Sequence, residues 1–300
     1  MSFNVKLNPK PQSERLSELF LKSGKLKFLE AHSALSALIV ENTIFNRNDG
    51  STESFDGIWA SSLTDATIKG RPDNESIQIG SRLNTLREMI HVSTKPILFD
   101  GDSGGSKSNF VKLIKELSKI GIAGVVIEDK EGLKQNSLLS YSTQKQTSIP
   151  KFVEKIKAGK RIAIKNNLLI FGRIESLITG LGMSDALERA NAYVEAGADG
   201  IMIHSRSSTP DEIFEFCEKF RSVDRKSILI VVPSTFDSAT NYDLWNRGVN
   251  LVIYANQLLR SAYPAMVESA KSILEHGRAL EIRPKMTTIK EVLEIVPENL

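Results

Sequence analysis

The chain has little of several features that mark specialised classes of protein. It contains a single cysteine, Cys217, in 300 residues. No disulfide bond can therefore form within the chain, and a reducing cytoplasm is the expected location. No stretch approaches the roughly 18 consecutive apolar residues of a membrane-spanning helix, and the N-terminus lacks the apolar core of a signal peptide. These absences predict neither a secreted disulfide-bonded domain nor a membrane protein.

A large excess of charge of one sign is also absent. The formal net charge is only +3, and charged residues make up 25% of the chain. No basic run is interleaved with aromatic residues in the way that single-strand nucleic-acid binders show. We therefore expect no nucleic-acid partner. The hydrophobic content of 41% is that of a globular protein with a sizeable core.

What the sequence does have is a regular alternation of short apolar and longer amphipathic segments. It predicts strands near residues 27–30, 57–60, 97–100, 123–128, 168–173, 200–204, 228–233 and 251–254. It predicts helices at 110–120, 183–196, 210–221 and 261–275, the second beginning at Ser184 as N-cap and ending at Gly197. Eight strands alternating with helices favour an α/β protein with a (β/α)8 barrel; a doubly wound open sheet is the alternative. No Pro/Gly-rich linker interrupts residues 1–300, so we predict one domain.

Two polar segments stand outside this alternation. Residues 42–53 are rich in turn-forming side chains and predict a surface insertion after the first barrel helix. Residues 129–150 follow a predicted strand as a long polar loop, at the strand ends where active sites of α/β proteins cluster. A loop of that length in a compact domain is often a lid. We therefore predict a gating loop that excludes water.

Three carboxylates stand at the ends of two neighbouring predicted strands. Asp100 and Asp102 follow the apolar run 96–99, and Glu128 follows the apolar run 122–127. Each carboxylate alone has an ordinary alternative role, since strand-end aspartates often cap the next helix. Together, three oxygen-donating side chains at one edge predict a site for a hard divalent cation.

Two short motifs match those of other classes of protein. Gly101-Asp102-Ser103-Gly104-Gly105 matches the peptide around the nucleophile of chymotrypsin-like proteases, but those are all-β proteins and this pattern is α/β. The longer segment 101–108 nearly forms a phosphate-binding P-loop, but Ser106 replaces its second glycine and would crowd the backbone where it wraps a phosphate. Neither motif is expected to carry the function.

A series of polar motifs runs through most of the chain. In order they are Glu30-Ala31-His32, Gly57-Ile58-Trp59-Ala60-Ser61-Ser62, Asp73-Asn74-Glu75, Asp100-Gly101-Asp102, Glu128-Asp129-Lys130, Lys134-Gln135-Asn136-Ser137, Gly172-Arg173-Ile174-Glu175, His204-Ser205 and Val232-Pro233-Ser234-Thr235. Their order and spacing resemble the phosphoenolpyruvate mutase branch of the isocitrate lyase superfamily, from about residue 27 to about residue 273.

This resemblance implies a fold, a reaction and a cofactor. The fold is a (β/α)8 barrel whose last helix is exchanged between the subunits of a homodimer or homotetramer. The reaction is that of an isomerase, which interconverts the small molecules phosphoenolpyruvate and phosphonopyruvate and supplies phosphonate biosynthesis. The cofactor is Mg²⁺, held by Asp100, Asp102 and Glu128 directly or through its waters.

The resemblance also implies roles for individual side chains. The implied catalytic residues are Asp73, Lys134, Asn136, Arg173 and His204. The implied substrate-binding residues are Trp59, Ser61 and Ser62, together with Asn136, Arg173 and His204. Residue chemistry agrees with these roles: the guanidinium of Arg173 offers a fork for anionic oxygens, and phosphoryl transfer depends mainly on positioning and charge stabilisation.

The chain departs from the family's usual motifs in two places. Ser103-Gly104-Gly105 stands where Thr-Gly-Tyr is usual, and Gly132-Leu133 stands in place of the Phe-Pro at the lid. The lyases of the superfamily carry a cysteine at the start of the lid, and its absence here argues against a lyase.

Three alternatives stay open beside a phosphoenolpyruvate mutase. Phosphonopyruvate hydrolases usually carry threonine at the position of Asn136, so this residue favours a mutase over a hydrolase. A carboxyphosphonoenolpyruvate mutase is the second alternative. A catalytically idle barrel that serves as a binding or scaffold protein is the third.

Overall fold

A computed structural model describes residues 11–132, 134–139 and 144–296. Its strands are β1 (Leu26–Glu30), β2 (Ile44–Asn46), β3 (Thr52–Ser54), β4 (Gly57–Ala60), β5 (Ile97–Asp100), β6 (Gly124–Glu128), β7 (Lys130–Glu131), β8 (Lys145–Gln146), β9 (Leu169–Ile174), β10 (Gly200–Ile203), β11 (Ile228–Val231) and β12 (Leu251–Tyr254). Its helices are α1 (Gln12–Lys22), α2 (Ala34–Asn42), α3 (Ser62–Ile68), α4 (Ile79–Val92), α5 (Lys107–Ile120), α6 (Ile149–Ala163), α7 (Ser176–Thr179), α8 (Gly182–Glu195), α9 (Asp211–Val223), α10 (Asn241–Asn246), α11 (Gln257–His276) and α12 (Ile289–Leu293).

Eight of these strands close into a parallel barrel in the order β1-β12-β11-β10-β9-β6-β5-β4. These are the eight strands that the sequence predicts, with bounds that differ by at most two residues at either end. The predicted (β/α)8 barrel is therefore confirmed, and the open-sheet alternative is wrong. The strands are apolar along nearly their whole length because one face packs inside the barrel and the other packs under the helices.

Alternation along the strands divides the core into two layers. Phe28, Leu98, Phe171 and Met202 belong to the cluster inside the barrel, whereas their sequence neighbours pack outward under the helices. Cys217 of α9 lies in the outer layer and is fully buried, where burial raises the pKa of its thiol to about 12. It is a packing residue, as its place on an apolar helical face predicts.

One predicted helix begins at a different residue. Helix α8 starts at Gly182, with Leu181 at the N-cap, so the prediction of Ser184 as N-cap is wrong. Two glycines with positive φ, Gly180 at 80° and Gly182 at 82°, turn the chain sharply out of α7. The helix can therefore begin two residues before Ser184. Gly197 follows its last residues with a φ of 95°, and it ends the helix as predicted.

Two parts of the outer layer differ from the barrel repeat. Strands β2 and β3 form an antiparallel hairpin within the predicted insertion, and its Glu53 pairs with Lys27 and Arg47. Helix α11 follows the last barrel strand, but among its residues only Leu259 is buried. No helix in the described ranges combines the length and the apolar character that would let it cross a membrane.

Candidate active site

The carboxyl ends of the barrel strands surround a small cavity of about 60 Å³. Its walls contain every predicted site residue except Asp102, namely Trp59, Ser61, Ser62, Asp73, Asp100, Glu128, Lys134, Asn136, Arg173 and His204. Asp102 borders a larger neighbouring cavity and contacts Lys134 directly. The structure thus brings together side chains that are spread over more than 140 positions of the sequence. The cavity is far smaller than the roughly 300–1,000 Å³ of ligand pockets.

The three predicted metal carboxylates share one rim of the barrel. Asp100 and Glu128 are the last residues of β5 and β6, which lie side by side. Asp102 lies two residues beyond Asp100, and its backbone carbonyl accepts from the Glu128 amide at 2.8 Å. Asp102 adopts a φ of 52°, in the left-handed region that aspartate tolerates better than most side chains. This turn keeps both aspartates at the mouth of the barrel.

The ammonium group of Lys134 lies among these carboxylates. Its Nζ donates to Asp73 Oδ1 at 2.5 Å, to Ser62 Oγ at 2.7 Å and to Asp102 Oδ1. The side chain is only 5% exposed. Burial alone would lower the pKa of Lys134, but the charges of Asp102, Asp100 and Asp73 outweigh burial and raise it. Lys134 is therefore a fixed positive charge in the site.

A second cation, Arg82 in the first turn of α4, binds both aspartates from the helix side of the rim. Its Nη1 donates to Asp102 Oδ2 and its Nη2 to the Asp100 carbonyl oxygen, both at 2.7 Å. The guanidinium also lies 4.2 Å from the centre of the Phe99 ring. Sequence reasoning missed Arg82, because nothing next to it in the chain marks it and both partners stand at least 18 positions away.

The two aspartates respond differently to this environment. Burial would raise the pKa of Asp100, but the charges of Lys134, Arg173 and Arg82 outweigh burial and lower it. Burial prevails at Asp102 and raises its pKa, although Arg82 and Lys134 oppose the shift. Asp100 is accordingly the more firmly ionised of the two.

The carboxylates fit a hard cation, although the described residues do not gather three metal-ligating side chains into a ready-made site. Asp100, Asp102 and Glu128 offer only oxygen donors, the type that Mg²⁺ prefers. Glu128 Oε1 is buried and accepts no hydrogen bond from the described residues, although Lys130 Nζ lies 3.2 Å away. Burial raises the pKa of Glu128 to about 7 against the charges of Arg173 and Lys130. An unsatisfied carboxylate oxygen of this kind is the feature that a bound cation would satisfy.

Next to Glu128, Arg173 is held by three further side chains. It stands beside Glu128 in the register of β9 and β6, and its Nε donates to Glu175 Oε1. Its Nη2 donates to His204 Nδ1 at 2.9 Å and to Ser137 Oγ at 2.7 Å. Burial would lower the pKa of Arg173, but Glu175 and Glu128 raise it.

The surroundings of His204 favour its neutral form. Burial and the charge of Arg173 lower its pKa, whereas the nearby Glu175, 3.1 Å away, opposes the shift only partly. Because Nδ1 accepts from Arg173, we assign the ring proton to Nε2, which leaves a hydrogen-bond donor on the other side of the ring. Glu175 stays ionised, since Arg173 and His204 outweigh burial and hold its pKa well below the usual range.

The described part of the predicted gating loop lines this site. Ser137 donates to Glu175 Oε2 at 2.6 Å, and Asn136 Nδ2 donates to Asp73 Oδ2 at 2.8 Å. Lys130 ties the loop to itself through Ser137 Oγ, Gln144 Oε1 and the Gln135 carbonyl oxygen. Leu133 and residues 140–143 of the predicted 129–150 loop lie outside the described residues, so the predicted effect of Gly132-Leu133 on the loop stays a prediction.

Asp129 anchors the base of the loop. Its carboxylate accepts from Tyr193 Oη at 2.7 Å, from Gln146 Nε2 at 3.0 Å and from the Glu175 amide at 3.1 Å. Burial raises its pKa to about 6, against hydrogen bonds from Tyr193 and Gln146 and the charge of Arg189. One buried carboxylate thus connects the loop strand β8 with the backbone of the Arg173–Glu175 segment. The sequence offers a signal for Asp129 only in its position next to Glu128.

Trp59, Ser61 and Ser62 complete the wall. Trp59 is buried in the barrel interior. Ser61 is the N-cap of α3 and accepts from the Thr64 amide. Ser62 donates to Asp100 Oδ2 from its hydroxyl at 2.9 Å and from its amide at 3.2 Å. Of the two serines predicted to bind substrate, Ser62 is thus already oriented by a carboxylate of the protein.

Comparisons with known proteins agree on one family. The family model described as phosphoenolpyruvate phosphomutase matches residues 16–274. A phosphoenolpyruvate phosphomutase of Tetrahymena pyriformis is 36% identical over 281 residues, which cover 93% of this chain and 89% of the relative. The crystal structure of a phosphoenolpyruvate phosphomutase from Streptomyces platensis subsp. rosaceus superposes with a TM-score of 0.85 at 30% identity, covering 94% of each chain. The crystal structure of a phosphonopyruvate hydrolase with oxalate and Mg²⁺ superposes with a TM-score of 0.82 at 30% identity, covering 95% of this chain and 94% of the other.

We predict that Arg82→Ala lowers the free energy of unfolding by about 3–5 kcal/mol, because it leaves a buried carboxylate without its partner. Urea denaturation of the metal-free protein measures the change. Arg87→Ala is the matched control: Arg87 lies on the same helix but is exposed, and its loss should cost no more than about 0.5 kcal/mol. Equal effects of the two substitutions would show that Arg82 does not stabilise the rim.

Proposed function

The chain belongs to the phosphoenolpyruvate phosphomutase family, and we propose that it interconverts phosphoenolpyruvate and phosphonopyruvate with the help of Mg²⁺. Family membership makes it an isomerase. The forward reaction breaks an oxygen–phosphorus bond and forms a carbon–phosphorus bond within one three-carbon molecule, so no second substrate is needed. Its place would be the entry to phosphonate biosynthesis in the cytoplasm, where a single buried cysteine is an ordinary feature.

One observation carries this proposal: two loop side chains meet the barrel carboxylates in a site with little free volume. Lys134 and Asn136 both donate to Asp73, and the cavity beneath them measures about 60 Å³. A phosphoryl group that migrates within one molecule must be kept from water, because attack by water would release phosphate. A loop that reaches the strand ends through specific side chains supplies such a barrier.

The metal would be held by Asp100, Asp102 and Glu128. The structurally similar hydrolase contains Mg²⁺ together with oxalate, which supports a magnesium site at the same end of this barrel. When bound, the ion would stabilise negative charge on the enolate and carboxylate oxygens of the three-carbon fragment.

The remaining groups would bind and position the substrate. Phosphoryl transfer commonly passes through a loose, metaphosphate-like state, in which positioning and charge stabilisation provide most of the catalysis. Arg173 presents a guanidinium whose orientation is set by Glu175 and His204. His204 Nε2–H is a neutral donor for a phosphoryl oxygen. Asn136 is the candidate to steady the migrating group, and Asp73 positions Asn136.

Phosphonopyruvate hydrolase is the second candidate function. The similar hydrolase structure shows that this barrel supports hydrolysis in a relative at 30% identity. Both reactions need the same metal and the same charge compensation, so they differ in whether water reaches the phosphoryl group. Asn136 favours the mutase, because the resembling hydrolases usually carry threonine at that position.

We further propose that the chain is a homodimer or homotetramer whose last barrel helix, α11, packs on a partner subunit. Tyr263, Met266, Ile273 and Leu274 follow one stripe of α11 at helical spacing, and all four are at least 44% exposed. A stripe of this kind needs a partner surface. A second copy of the chain is the natural partner, because the resemblance implies an exchanged helix at this place in the fold.

Phosphorus NMR of the purified protein with Mg²⁺ and phosphonopyruvate tests the proposed function. We expect conversion to phosphoenolpyruvate without free phosphate, and no turnover by Arg173→Ala at any substrate concentration, because that variant loses charge compensation for the substrate anion. Phosphate together with pyruvate would instead establish the hydrolase. Unchanged phosphonopyruvate would overturn both functions.

Asn136→Thr should shift the product ratio toward phosphate and pyruvate, with at least about a tenfold loss of rearrangement. The reason is that threonine cannot bridge from the loop to Asp73 as the longer amide does. Gln135→Thr is the matched control, since Gln135 is next to Asn136 in the loop and its side chain is exposed. The same phosphorus spectra report both products, and an unchanged ratio in Asn136→Thr would remove Asn136 as the discriminator.

Light scattering coupled to size-exclusion chromatography tests the assembly. We expect a mass of two or four chains for the native protein and one chain for Met266→Glu, which places a charge in the apolar stripe of α11. Leu21→Glu is the control, because Leu21 is 88% exposed on α1, outside that stripe. A native mass of one chain would contradict the proposed exchange of α11.

A further inference from the structure

We propose that Tyr193 and Arg189 of helix α8 are positioning residues for the reaction. Through the carboxylate of Asp129, the two side chains hold both the backbone around Arg173 and the returning end of the predicted gating loop. Tyr193 and Arg189 do not line the cavity, so both would act at one remove from the substrate. This inference rests on the proposed function, because it assigns Arg173 to the substrate.

The place of Tyr193 in the fold is set by its ring. The side chain is fully buried, and its ring centre lies 4.6 Å from that of Phe152 on α6. The ring also lies directly against β9, because a Cβ added at Gly172 would stand 3.0 Å from Tyr193 Cδ2. Side chains alternate along a strand, and Gly172 directly precedes Arg173. The ring therefore packs on the outer face of the strand whose inner face carries the guanidinium.

The hydroxyl of Tyr193 meets a buried carboxylate. Its Oη donates to Asp129 Oδ2 at 2.7 Å, and Arg189 Nη1 donates to the same oxygen at 3.2 Å. Arg189 Nη1 also donates to Tyr193 Oη at 3.1 Å, so the three groups are bonded to one another. Arg189 itself is held by Asp185, whose Oδ2 accepts from Nε at 2.7 Å. Asp129 is completely buried, and a carboxylate in such a place needs partners of this kind.

Asp129 connects these two side chains with the site. Its amide donates to the Arg173 carbonyl oxygen at 3.1 Å, and its Oδ1 accepts from the Glu175 amide at 3.1 Å. The Glu175 carboxylate in turn accepts from Arg173 Nε and lies 3.1 Å from His204 Nδ1. Tyr193 Oη is thus two hydrogen bonds away from the amide of the residue that orients both substrate-binding side chains.

The same aspartate holds the returning end of the predicted gating loop. Gln146 Nε2 donates to both carboxylate oxygens of Asp129 at 3.0 Å, and the Thr147 amide donates to the Asp129 carbonyl oxygen at 2.8 Å. Arg189 Nη1 donates to the Thr147 carbonyl oxygen at 2.9 Å. The loop between Asp129 and Gln146 carries the two side chains that donate to Asp73. Helix α8 therefore holds the base of this loop together with the strand-end segment of β9.

A purely structural role for Tyr193 makes a different prediction. The ring would fill the layer between α6, α8 and β9, and the hydroxyl would only satisfy a buried carboxylate. Loss of the hydroxyl would then lower stability and leave the kinetics of the folded enzyme unchanged. Tyr193→Phe separates the two roles, because it keeps the ring. Tyr254→Phe is the matched control, since Tyr254 Oη donates to Asn241 Oδ1 at 2.8 Å on β12, three strands away from β9.

The first measurement is the steady-state rate with phosphonopyruvate and Mg²⁺, at a temperature where urea denaturation shows each variant to be folded. We expect Tyr193→Phe to lower kcat about tenfold, because a small displacement of Arg173 and His204 reduces their alignment with the reacting group. The KM should stay within about threefold of the native value, since the charges that attract the anion are retained. Tyr254→Phe should keep both constants. An unchanged kcat in Tyr193→Phe, or an equal loss in the control, would overturn the positioning role.

The second measurement needs no substrate: it is amide hydrogen exchange followed by mass spectrometry. We expect peptides with the Glu175 and Thr147 amides to exchange at least about threefold faster in Tyr193→Phe, while strand β11 reports any global loss of stability. Exchange that is unchanged relative to β11 would overturn the positioning role and leave the proposed reaction intact. A native protein that neither rearranges nor hydrolyses phosphonopyruvate would overturn the proposed function. The exchange at Glu175 would then still decide whether Tyr193 holds this segment.

Discussion

The structure of this site depends on one constraint: several carboxylates are buried at one end of the barrel, and each needs a positive or hydrogen-bonding partner. Two arginines meet this need from fixed positions, Arg82 on helix α4 and Arg173 on the strand next to that of Glu128. Two lysines, Lys130 and Lys134, meet it from the segment that follows β6. The elements that carry these cations are therefore held to the rim as much by charge as by packing.

The barrel explains how residues that are far apart in the sequence form one site. Parallel strands present their carboxyl ends at one face, and Glu128 and Arg173 face each other in register across β6 and β9. Residues that follow such strands reach the same cavity even when they are far apart in sequence. Glu175 then fixes Arg173 and His204, and Asp129 fixes the backbone of Glu175. The rigidity of the site comes from buried hydrogen bonds that extend outward from the strand ends.

This geometry also explains what the sequence predicts well. Apolar runs and their spacing are local features, so the eight strands and the strand-end residues Asp100, Glu128 and Arg173 could be predicted directly. Glu175 and Asp129 stand in motifs that the sequence shows, but their partners, like those of Arg82, are known only from the folded chain. The wrong prediction of Ser184 as N-cap has a similar cause. The positive φ angles of Gly180 and Gly182, which the sequence pattern does not reveal, decide where α8 begins. The closed position of Lys134 over the carboxylates is likewise a property of the fold.

The cations around these carboxylates differ in how firmly they are held. Arg82 and Arg173 are poorly suited to move, because each is stacked or hydrogen-bonded on several sides within ordered elements. Lys134 stands on a loop, ends a flexible aliphatic chain and binds as a point charge without a required planar geometry. Because Lys134 belongs to the loop, its charge reaches the carboxylates only when the loop lies against the strand ends, as it does in this structure.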